Sequence, residues 1–547
     1  MIRHIALVLA SAWLAASTAA QSPIDLGTIS RIKQEALTRS RAMDHVAWMS
    51  DVYGPRVTGT PNFQRASEWA MKQFTEWGLA NVHQERFAFG QGWRVERFSA
   101  HMIAPEPQPI IGYPRTFSPS TKGTISGDVV RVDIRSDADF AKYKGTLKDK
   151  IVLPQAARRV RMIEDRIILR MNEEDTAEAL TTPIPAASGG TGEAGATGAA
   201  GATGAPGAAG ATGVKGPTVP PLNERIAQFF VTEGVAAVLE RGSDSDMSAG
   251  GSDLSWQTQR VDGGTIFPGG GGSRDPKTPA QVPSATIAVE HYNRMVRILE
   301  KNIPVRVELN IQATFYPEAA GTPNGINILA EIPGSDLADE VVIMGAHFDT
   351  TPGATGATDN ATGAAAMMEA VRIIKSLGLR PRRTIRVALW GGEEQGLLGS
   401  RAYVAEHYGT EASPKPAHAS VAAYYNLDNG TGKIRGIWGQ GNLGAMAVFR
   451  EWIESVEDLG VELIGPRSVG ATDHAAFDSA GIPGFQFIQE RLEYNSRTHH
   501  SNMDFVDRVQ REDLVQQAAV AAVFAWYTAN WPEKLPRKVI TGRPGTQ

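Results

Sequence analysis

The chain has 547 residues, a formal net charge of -5 and no cysteine. Its 54 basic side chains are balanced by 59 acidic ones without long runs of either sign, so it lacks the basic surface typical of nucleic-acid binders, and we expect no nucleic-acid partner. The absence of cysteine excludes disulfides, a thiol nucleophile and thiolate metal sites. Any chemistry must therefore use carboxylates, imidazoles, hydroxyls or amines.

The first 20 residues have the pattern of a secretory signal peptide. Arg3 and His4 precede an apolar stretch over residues 5–16, and small residues follow at 17–20. The apolar stretch is shorter than the roughly 20 residues that a membrane-spanning helix needs, although an uncleaved anchor is the alternative. We therefore expect an exported chain, secreted or periplasmic, that has no membrane partner once residues 1–20 are removed.

The region that follows is predicted to be helical as far as about residue 78. Apolar residues recur with helical period over residues 62–78, and Gly78 is a suitable C-cap. A turn-rich loop precedes this helix, and Asn62 is the candidate N-cap. From about Ser118 the pattern changes to short β-like runs separated by turn residues, which predicts the start of a second, β-rich domain.

A repeat interrupts this second region. Ten consecutive Gly-X-Y triplets cover residues 189–218. The strict period of three is typical of collagen, but only Pro206 and Pro217 stiffen the stretch. We interpret it as a low-complexity surface loop, the alternative being a triple helix that would make the protein trimeric. The glycine run over residues 269–273 is also predicted to be a flexible loop.

Strong secondary-structure patterns return after about residue 281. Four apolar runs predict buried strands at 341–346, 384–390, 421–426 and 482–488, and helical patterns separate them at 362–377, 400–407 and 444–459. Alternating strands and helices predict an α/β fold with a mainly parallel sheet sandwiched by helices. Ligand sites in such sheets lie at the carboxyl ends of the strands.

Carboxylates and imidazoles follow each of these four predicted strands. In chain order they are His347, Asp349, Asp359, Glu393, Glu394, Asp428, His499 and His500. Each residue alone has an ordinary structural interpretation, such as a helix cap for Asp359 or a turn for Asp428. Their joint occurrence at successive strand ends indicates a site suited to Zn²⁺. Because the set exceeds what one tetrahedral ion uses, we expect two ions that share one carboxylate.

The spacing of these residues also suits hydrolysis. His347 and Asp349 lie on one side of an extended segment, so Asp349 can accept the free imidazole N–H and fix the tautomer. The adjacent Glu393 and Glu394 point in different directions, so one can bind metal while the other takes a proton from water. Two metal ions would make a shared water hydroxide-like near neutral pH.

Six sequence blocks resemble the M28 family of di-zinc exopeptidases. The blocks are NILAEIPGS (327–335), GAHFDT (345–350), GATDNATG (356–363), WGGEEQGLLGS (390–400), NLDNGTG (426–432) and THHSNMD (498–504). Two further blocks, GPRVTGTPNFQRASEWA (54–70) and KIRGIWGQGN (433–442), are similar in particular to the carboxypeptidase Q branch of that family. The β-rich region between them resembles the protease-associated (PA) domain that such enzymes carry.

The resemblance implies a set of metal ligands and a base. The implied ligands are His347 and Asp428 for one zinc, Glu394 and His500 for the other, and Asp359 as the bridge. Glu393 would be the general base, and Asp349 the orienting acid. His500 is selected over His499 because Ser501 and Asp504 follow it in the family's pattern.

Two further residues are candidate contacts of the substrate or its oxyanion. Tyr494 lies in the loop before His500 and could donate to the oxyanion, although packing on the loop is its plainer interpretation. His474 follows Asp473 in a segment that resembles a family Ser-Asp-His block with Thr472 in place of serine. Asp473 could equally cap the helix that follows it.

The sequence therefore predicts a secreted di-zinc exopeptidase that hydrolyses dipeptides or short peptides. The catalytic domain is expected over residues 21–117 and 288–532, a PA-like insertion over 118–287 and a tail over 533–547. An aminopeptidase of the same family is the alternative within the enzyme class, and a non-catalytic receptor or binding protein is the alternative outside it. The sequence leaves open whether the chain forms a homodimer.

Overall fold

The computed structural model describes residues 25–160, 166, 168–181, 220–242 and 264–538. Three predictions fall wholly or largely elsewhere. The signal peptide at 1–20 and the Gly-X-Y stretch at 189–218 lie outside the described residues, as does the predicted tail beyond residue 538.

Eighteen strands occur in the described residues. They are β1 (Ala80–Phe87), β2 (Gln91–Ala104), β3 (Gln108–Pro109), β4 (Gly112–Pro114), β5 (Ile125–Arg131), β6 (Ile151–Leu153), β7 (Ala237–Arg241), β8 (Ser284–Ile287), β9 (Arg306–Pro317), β10 (Gly325–Ile332), β11 (Leu337–His347), β12 (Arg383–Trp390), β13 (Gly409–Thr410), β14 (Ser413–Pro414), β15 (Val421–Asn426), β16 (Ile434–Trp438), β17 (Leu463–Gly465) and β18 (Gly484–Gln489).

Twelve α-helices occur in the same part of the chain. They are α1 (Leu26–Arg39), α2 (Ala42–Ala47), α3 (Pro61–Glu76), α4 (Phe140–Tyr143), α5 (Glu173–Thr181), α6 (Leu222–Thr232), α7 (Val289–Leu299), α8 (Thr362–Ser376), α9 (Leu398–His407), α10 (Leu443–Ile453), α11 (His474–Ser479) and α12 (Arg511–Asn530). Short irregular turns at Ala357–Ala361 and Tyr494–Thr498 lie close to the candidate site. No helix of the described residues is both long and apolar enough to cross a bilayer.

The larger unit is an α/β sandwich built on an eight-stranded sheet. The strand order is β1-β10-β12-β11-β15-β18-β16-β17. The four central strands β12, β11, β15 and β18 are parallel, whereas β1, β10 and β16 pair antiparallel with their neighbours towards the centre. The predicted α/β sandwich is confirmed, with a parallel centre inside a mixed sheet.

Both faces of this sheet are covered by helices. Alternate residues of β11 take opposite sides: Val342 and Met344 join the core beneath α1, α2, α3, α8 and α12, while Val341 and Ile343 join the core beneath α9 and α11. This strand is therefore buried on both faces, which explains its continuous apolar run. α12 is buried along almost its entire length and packs against α1 and α8.

The start of α3 differs from the prediction. Thr60 caps the helix, its Oγ1 accepting a hydrogen bond from the Phe63 backbone N–H at 3.3 Å, and Pro61 occupies the first turn. The predicted cap, Asn62, lies inside the helix. Proline at the first helical position is common because its missing N–H would have no partner there, and this signal outweighs the capping tendency of asparagine.

The second sheet has the order β3-β2-β9-β5-β6-β7-β8-β4 and lies between β1 and β10 in the sequence. We call residues 91–317, which its strands span, the insertion. It begins before residue 118 and ends after residue 287, the bounds predicted from sequence. The reason is the long antiparallel ladder between β2 and β9, which pairs Gln91 with Pro317 and Ala104 with Arg306. The change of pattern near Ser118 marks a turn within the sheet.

Two segments within the insertion's sequence differ from expectation. Leu169 pairs with Leu492 of the larger unit, and its side chain joins a core with Trp438. The glycine run over 269–273 is hydrogen-bonded to Thr116, whose N–H donates to Gly269 O and whose carbonyl accepts from Gly271 N–H, both at 2.8 Å. The expected flexible loop is therefore an ordered, paired segment, because glycine permits the close approach of backbones there.

Candidate functional site

The candidate site lies at the carboxyl ends of the central parallel strands. β11 ends at His347, and the register places it opposite Trp390, the last residue of β12. Glu393 and Glu394 follow Trp390 in a turn, and Asp428 follows the end of β15 by two residues. Because neighbouring parallel strands end at the same edge, the sheet brings these side chains together.

Asp359 lies between two groups of candidate ligands. Its Oδ1 is 3.1 Å from His347 Nε2, and its Oδ2 is 3.4 Å from His500 Nε2. On the first side, His347 Nε2 is also 3.3 Å from Asp428 Oδ1. On the second side, His500 Nε2 is 3.0 Å from Glu394 Oε2. The Asp359 carboxylate thus has one oxygen in each of two adjacent ligand sets.

These residues fit metal ions. Two triads of described residues have ligand atoms within 4.8 Å of one another, namely His347, Asp359 and Glu394, and Asp359, His499 and His500. Asp359 belongs to both. Its buried Oδ2 has no hydrogen-bond partner, a costly arrangement that a cation would relieve. Imidazole and carboxylate donors suit zinc.

The two consecutive histidines lie close together, and their distances differ. His499 Nε2 is 3.8 Å from Asp359 Oδ2, whereas His500 Nε2 is 3.4 Å from it and also contacts Glu394. The two imidazole centroids are 3.5 Å apart. These distances favour His500 as the ligand, and that assignment remains a proposal.

Asp349 has a different contact from the one predicted. His347 Nδ1 is 3.0 Å from the backbone oxygen of Asp349 and 3.7 Å from its Oδ1, so the carbonyl is the nearer acceptor. The Oδ1 atom instead accepts a hydrogen bond from the Glu393 backbone N–H at 3.2 Å. Asp349 thereby connects the segment after β11 to the turn that carries Glu393.

Glu393 lies among negative charges. Burial raises its pKa well above the usual value. The charge of His347 opposes this rise, while the carboxylates of Asp428, Asp473 and Glu394 add to it. A carboxylate with a raised pKa accepts a proton more readily, which is the property that a general base needs.

The site as a whole carries an excess of carboxylates. Burial lowers the pKa of His347, but the charges of Asp428 and Glu393 outweigh it and raise that pKa well above its usual value. Burial raises the pKa of Asp359, but the hydrogen bond from His347 and the charges of the two later histidines hold it below its usual value. Six acidic residues interact electrostatically here, and such a cluster attracts cations: Asp349, Asp359, Glu393, Glu394, Asp428 and Asp473.

Asp504 fixes the turn that carries Asp359. Its Oδ1 accepts a hydrogen bond from the Thr358 N–H at 2.7 Å, and its Oδ2 accepts one from the Asp359 N–H at 3.0 Å. Burial raises the pKa of Asp504 to about 7. The last sequence block of the site therefore determines the position of the candidate bridging residue.

Arg56 supports the site from the amino-terminal part of the chain; it lies in the sequence block 54–70, but the sequence alone gave it no role. Its fully buried guanidinium donates to the carbonyls of Phe348 at 2.9 Å, Thr355 at 3.0 Å and Gly356 at 3.0 Å. Burial lowers the pKa of Arg56 to about 10, against the raising effect of Asp504 and other carboxylates. The turn-rich loop before α3 is thus part of the wall of the site.

The two predicted substrate contacts are both buried. The Tyr494 ring is 4.6 Å from that of His499, and Tyr494 borders a cavity of about 400 Å³ that also reaches Thr358. His474 Nε2 is 3.0 Å from the Val469 carbonyl, and burial lowers its pKa to about 4. Tyr494 therefore lies beside the histidine pair, whereas His474 is bonded to the backbone of its own loop. Their roles towards substrate remain predictions.

Asp473, the neighbour of His474, does not cap α11. It precedes the helix, but its side chain makes no capping hydrogen bond. Both carboxylate oxygens are buried without a hydrogen-bond partner, and burial raises the pKa of this group to about 7.

The fold and site define a metallopeptidase-like α/β domain, and comparison with known families agrees. Residues 327–525 match the family model described as Peptidase family M28. This span contains every candidate ligand as well as Asp349 and Glu393. This match over part of the chain confirms the resemblance to the M28 family found in the sequence.

Individual relatives resemble about half of the chain. Over 257 residues the chain is 32% identical to carboxypeptidase Q from Pongo abelii, covering 47% of this chain and 52% of that protein. It is 30% identical to aminopeptidase YwaD from Bacillus subtilis over 239 residues, covering 42% of this chain and 50% of that protein. The chain thus spans about half the length of these curated relatives. Over these aligned stretches it is similar both to carboxypeptidase Q and to an aminopeptidase.

A solved structure extends the likeness in fold to almost the whole chain. The crystal structure of a peptidase M28 precursor from Shewanella amazonensis SB2B superposes with a TM-score of 0.63 at 24% identity. The alignment covers 94% of this chain and 99% of that one. The overall fold therefore recurs in that structure.

Proposed function

We propose that this chain is a di-zinc metallo-exopeptidase that hydrolyses dipeptides or short peptides. The observation that carries the proposal is the position of Asp359, whose two oxygens face separate histidine-carboxylate pairs. The matched family model and the relatives named for peptidase activity support it. The candidate ligands are His347 and Asp428 on one side, Glu394 and His500 on the other, and Asp359 between them.

The residues around the ligands would supply the remaining chemistry. Zinc ions bound there would contribute Lewis acidity, which polarises a carbonyl and makes water more acidic. Glu393 would take a proton from the attacking water and deliver it to the leaving amine. Asp349 would hold the turn of Glu393 in place through its backbone N–H. Tyr494 would donate to the oxyanion that develops on the scissile carbonyl.

The zinc requirement can be tested directly. The purified chain should lose dipeptide hydrolysis on chelation and regain it with Zn²⁺, and metal analysis should give two zincs per chain. Asp359→Ala should lose both metal and activity because it removes the shared ligand. The matched control is Asp458→Ala, which removes an acidic side chain that is 64% exposed.

Two outcomes would overturn the proposal. An Asp359→Ala variant that still holds two zincs would show that this carboxylate does not bridge. A zinc-loaded wild-type chain that hydrolyses no member of a dipeptide library would support the rival function, a non-catalytic binding protein on the same scaffold. The presence of Glu393 and of all five candidate ligands argues against that rival.

An aminopeptidase is the second candidate, because one relative carries that name at 30% identity. The two activities differ in which substrate terminus must be free. A carboxypeptidase should hydrolyse an amino-blocked dipeptide, and an aminopeptidase a carboxyl-blocked one. Rates for the two substrates, compared at equal concentration, decide between them.

We further propose that the protein is exported and that the insertion is a PA-like domain. The proposal of export rests on the pattern of residues 1–20, and that of the PA-like domain on the β-rich sequence between the family blocks. Sequencing the amino terminus of the protein recovered from a secreting host would test export, with a start near Gln21 expected.

A further inference from the structure

A short segment of the insertion reaches the candidate metal site. We call residues 264–268 the contact segment. The ring of Phe267 is stacked on the imidazole of His500, with centroids 5.6 Å apart and planes 18° from parallel. Phe267 is half-buried, so one face contacts the histidine while the side chain keeps some exposure. The insertion therefore contributes a side chain to the surroundings of a candidate ligand.

Two neighbouring rings contact the imidazole of His500. The phenyl ring of Phe267 and the imidazole of His499 lie 5.6 Å and 3.5 Å from its imidazole, centroid to centroid, and Tyr494 contacts His499 in turn. The backbone of His500 has a positive φ of 52°, a conformation unusual for a residue with a side chain. The ring stack is thus well placed to fix the orientation in which His500 Nε2 faces Glu394 and Asp359.

The contact segment is attached to the loop that carries His500. Asn502 donates its backbone N–H to Ile266 O at 3.0 Å, accepts the Ile266 N–H on Oδ1 at 2.6 Å, and donates Nδ2 to Gly264 O at 3.0 Å. Pro268 packs close to Gly353, where a Cβ would come within 3.0 Å of the proline ring. The segment is therefore clamped against two loops of the site.

The other end of the segment is anchored in the insertion. Thr286, on β8, donates its hydroxyl to Pro268 O at 2.8 Å, and the paired glycines after Pro268 connect to Thr116. A displacement of the second sheet would consequently move Phe267. The insertion and the metal site are mechanically linked through this segment.

We propose that Phe267 is a positioning residue that holds His500 in its metal-binding orientation, so that the insertion completes the second zinc site. The inference rests on the proposed metal site. Outer partners that orient a ligand typically change metal affinity by roughly 10–100-fold when removed. Phe267 acts through His500 and needs no contact with substrate.

The test is calorimetric titration of the metal-free full-length chain with Zn²⁺. Wild type should bind two ions, and Phe267→Ala should weaken one of the two sites about tenfold or more while leaving the other unchanged. Phe267→Tyr keeps a stackable ring and should restore near-normal affinity. Phe98→Ala is the matched control, because Phe98 is a half-buried phenylalanine packed against the insertion's own core.

A second variant tests the same contact if Phe267→Ala fails to fold. Asn502→Ala keeps the Phe267 side chain but removes the two side-chain hydrogen bonds that hold the contact segment against the loop, so it should weaken the same zinc site. If both residues act through one contact, the double variant should bind zinc little worse than the weaker single variant. Additive losses in the double variant would contradict a shared mechanism.

The outcomes separate this inference from the proposed function. A wild-type chain that binds no zinc would defeat the proposed function itself. A wild-type chain with two sites, of which Phe267→Ala and Asn502→Ala change neither, would overturn only the positioning role. A raised KM for dipeptides with unchanged zinc affinity would show that Phe267 lines the substrate site instead. If Phe98→Ala weakened zinc binding as much as Phe267→Ala does, the loss would come from general destabilisation of the insertion, and the positioning role would be overturned.

Discussion

Individual side chains in the site have separate tasks that their contacts define. Asp359 faces two histidines, Glu394 and Asp428 each face one of them, and Glu393 has a histidine and several acids nearby without belonging to either metal triad. Because Glu393 is proposed as the base and not as a ligand, its removal is informative. A base can be replaced without disturbing the groups that bind metal.

Glu393→Gln should therefore retain two zincs while kcat falls by a factor on the order of 10³ or more, because glutamine is nearly isosteric and cannot accept the proton from water. Metal analysis and steady-state kinetics on the same preparation would check both parts. Glu406→Gln, which alters a glutamate that is 79% exposed, is the control. Near-normal turnover of Glu393→Gln would exclude its role as the base.

His474 gives a prediction about stability. Burial lowers its pKa to about 4, so between that value and its usual 6.5 the unfolded chain binds a proton that the folded chain does not. The stabilisation from keeping His474 neutral is thus present above pH 6.5 and is lost as pH falls towards 4. Relative to His474→Gln, wild type should lose about 2 kcal/mol of unfolding free energy between pH 7 and pH 5.

Urea denaturation in the presence of chelator, at both pH values, would measure this difference without a contribution from metal release. The glutamine variant cannot titrate, so the comparison isolates the histidine from other groups. Parallel pH dependence in the two proteins would show that His474 keeps an ordinary pKa in the folded state.

At the level of elements, the site depends on loops held by residues far away in the sequence. The turn Ala357–Ala361 presents Asp359, and its backbone is fixed by Asp504 from the carboxyl side and by Arg56 from the amino side. Strand ends alone would leave this turn free to move. The precision of the ligand set therefore comes from these buried charged groups.

Asp504→Asn should weaken zinc binding by roughly 10–100-fold, because the amide nitrogen cannot accept one of the two backbone hydrogen bonds that now fix the turn. Competition with a chelating dye would measure the affinity. The exposed Asp507, three residues further on, supplies the control Asp507→Asn. Unchanged affinity in Asp504→Asn would mean that Arg56 suffices to hold the turn.

The sequence predicts part of this fold and site, and the elements differ in how far they can be predicted. The four central strands and their helices could be predicted because buried parallel strands have continuous apolar sequences, and ligands at successive strand ends follow from that topology. The roles of Arg56 and Phe267 could not, because each depends on contacts with residues more than 200 positions away. Asp349 lies next to His347 as predicted, but His347 Nδ1 is nearer to the backbone carbonyl of Asp349 than to its side chain. A pattern of side chains cannot predict a contact with a backbone carbonyl.

On the scale of the whole molecule, the chain passes between the two sheets twice, from β1 to β2 and from β9 to β10. Two further contacts join the insertion's sequence to the larger unit. Leu169 pairs with Leu492 at one side, and Phe267 contacts His500 at another. The bounds of this insertion were set too narrowly from sequence, because the pattern of turns and strands near Ser118 does not show which sheet a strand joins. Strand pairing is a long-range property.

Deleting residues 189–218 should leave folding and peptidase activity largely intact. The prediction rests on composition alone, since this stretch, outside the described residues, offers almost nothing apolar to bury. Thermal denaturation and dipeptide hydrolysis of the shortened chain would check it, and light scattering would show whether a trimer is lost. An insoluble or inactive product would show that the repeat has a structural role.

The split of the α/β unit also has a consequence for its biosynthesis. β1 leaves the ribosome before residues 88–324, and its hydrogen-bonding partner β10 comes only after them. At about 5–20 residues per second, this delay is roughly 10 to 50 seconds. Throughout that interval the edge of β1 that pairs with β10, and the part of α3 that packs on β10, have no native partner. The nascent chain should therefore depend on chaperone occupancy of its first 90 or so residues.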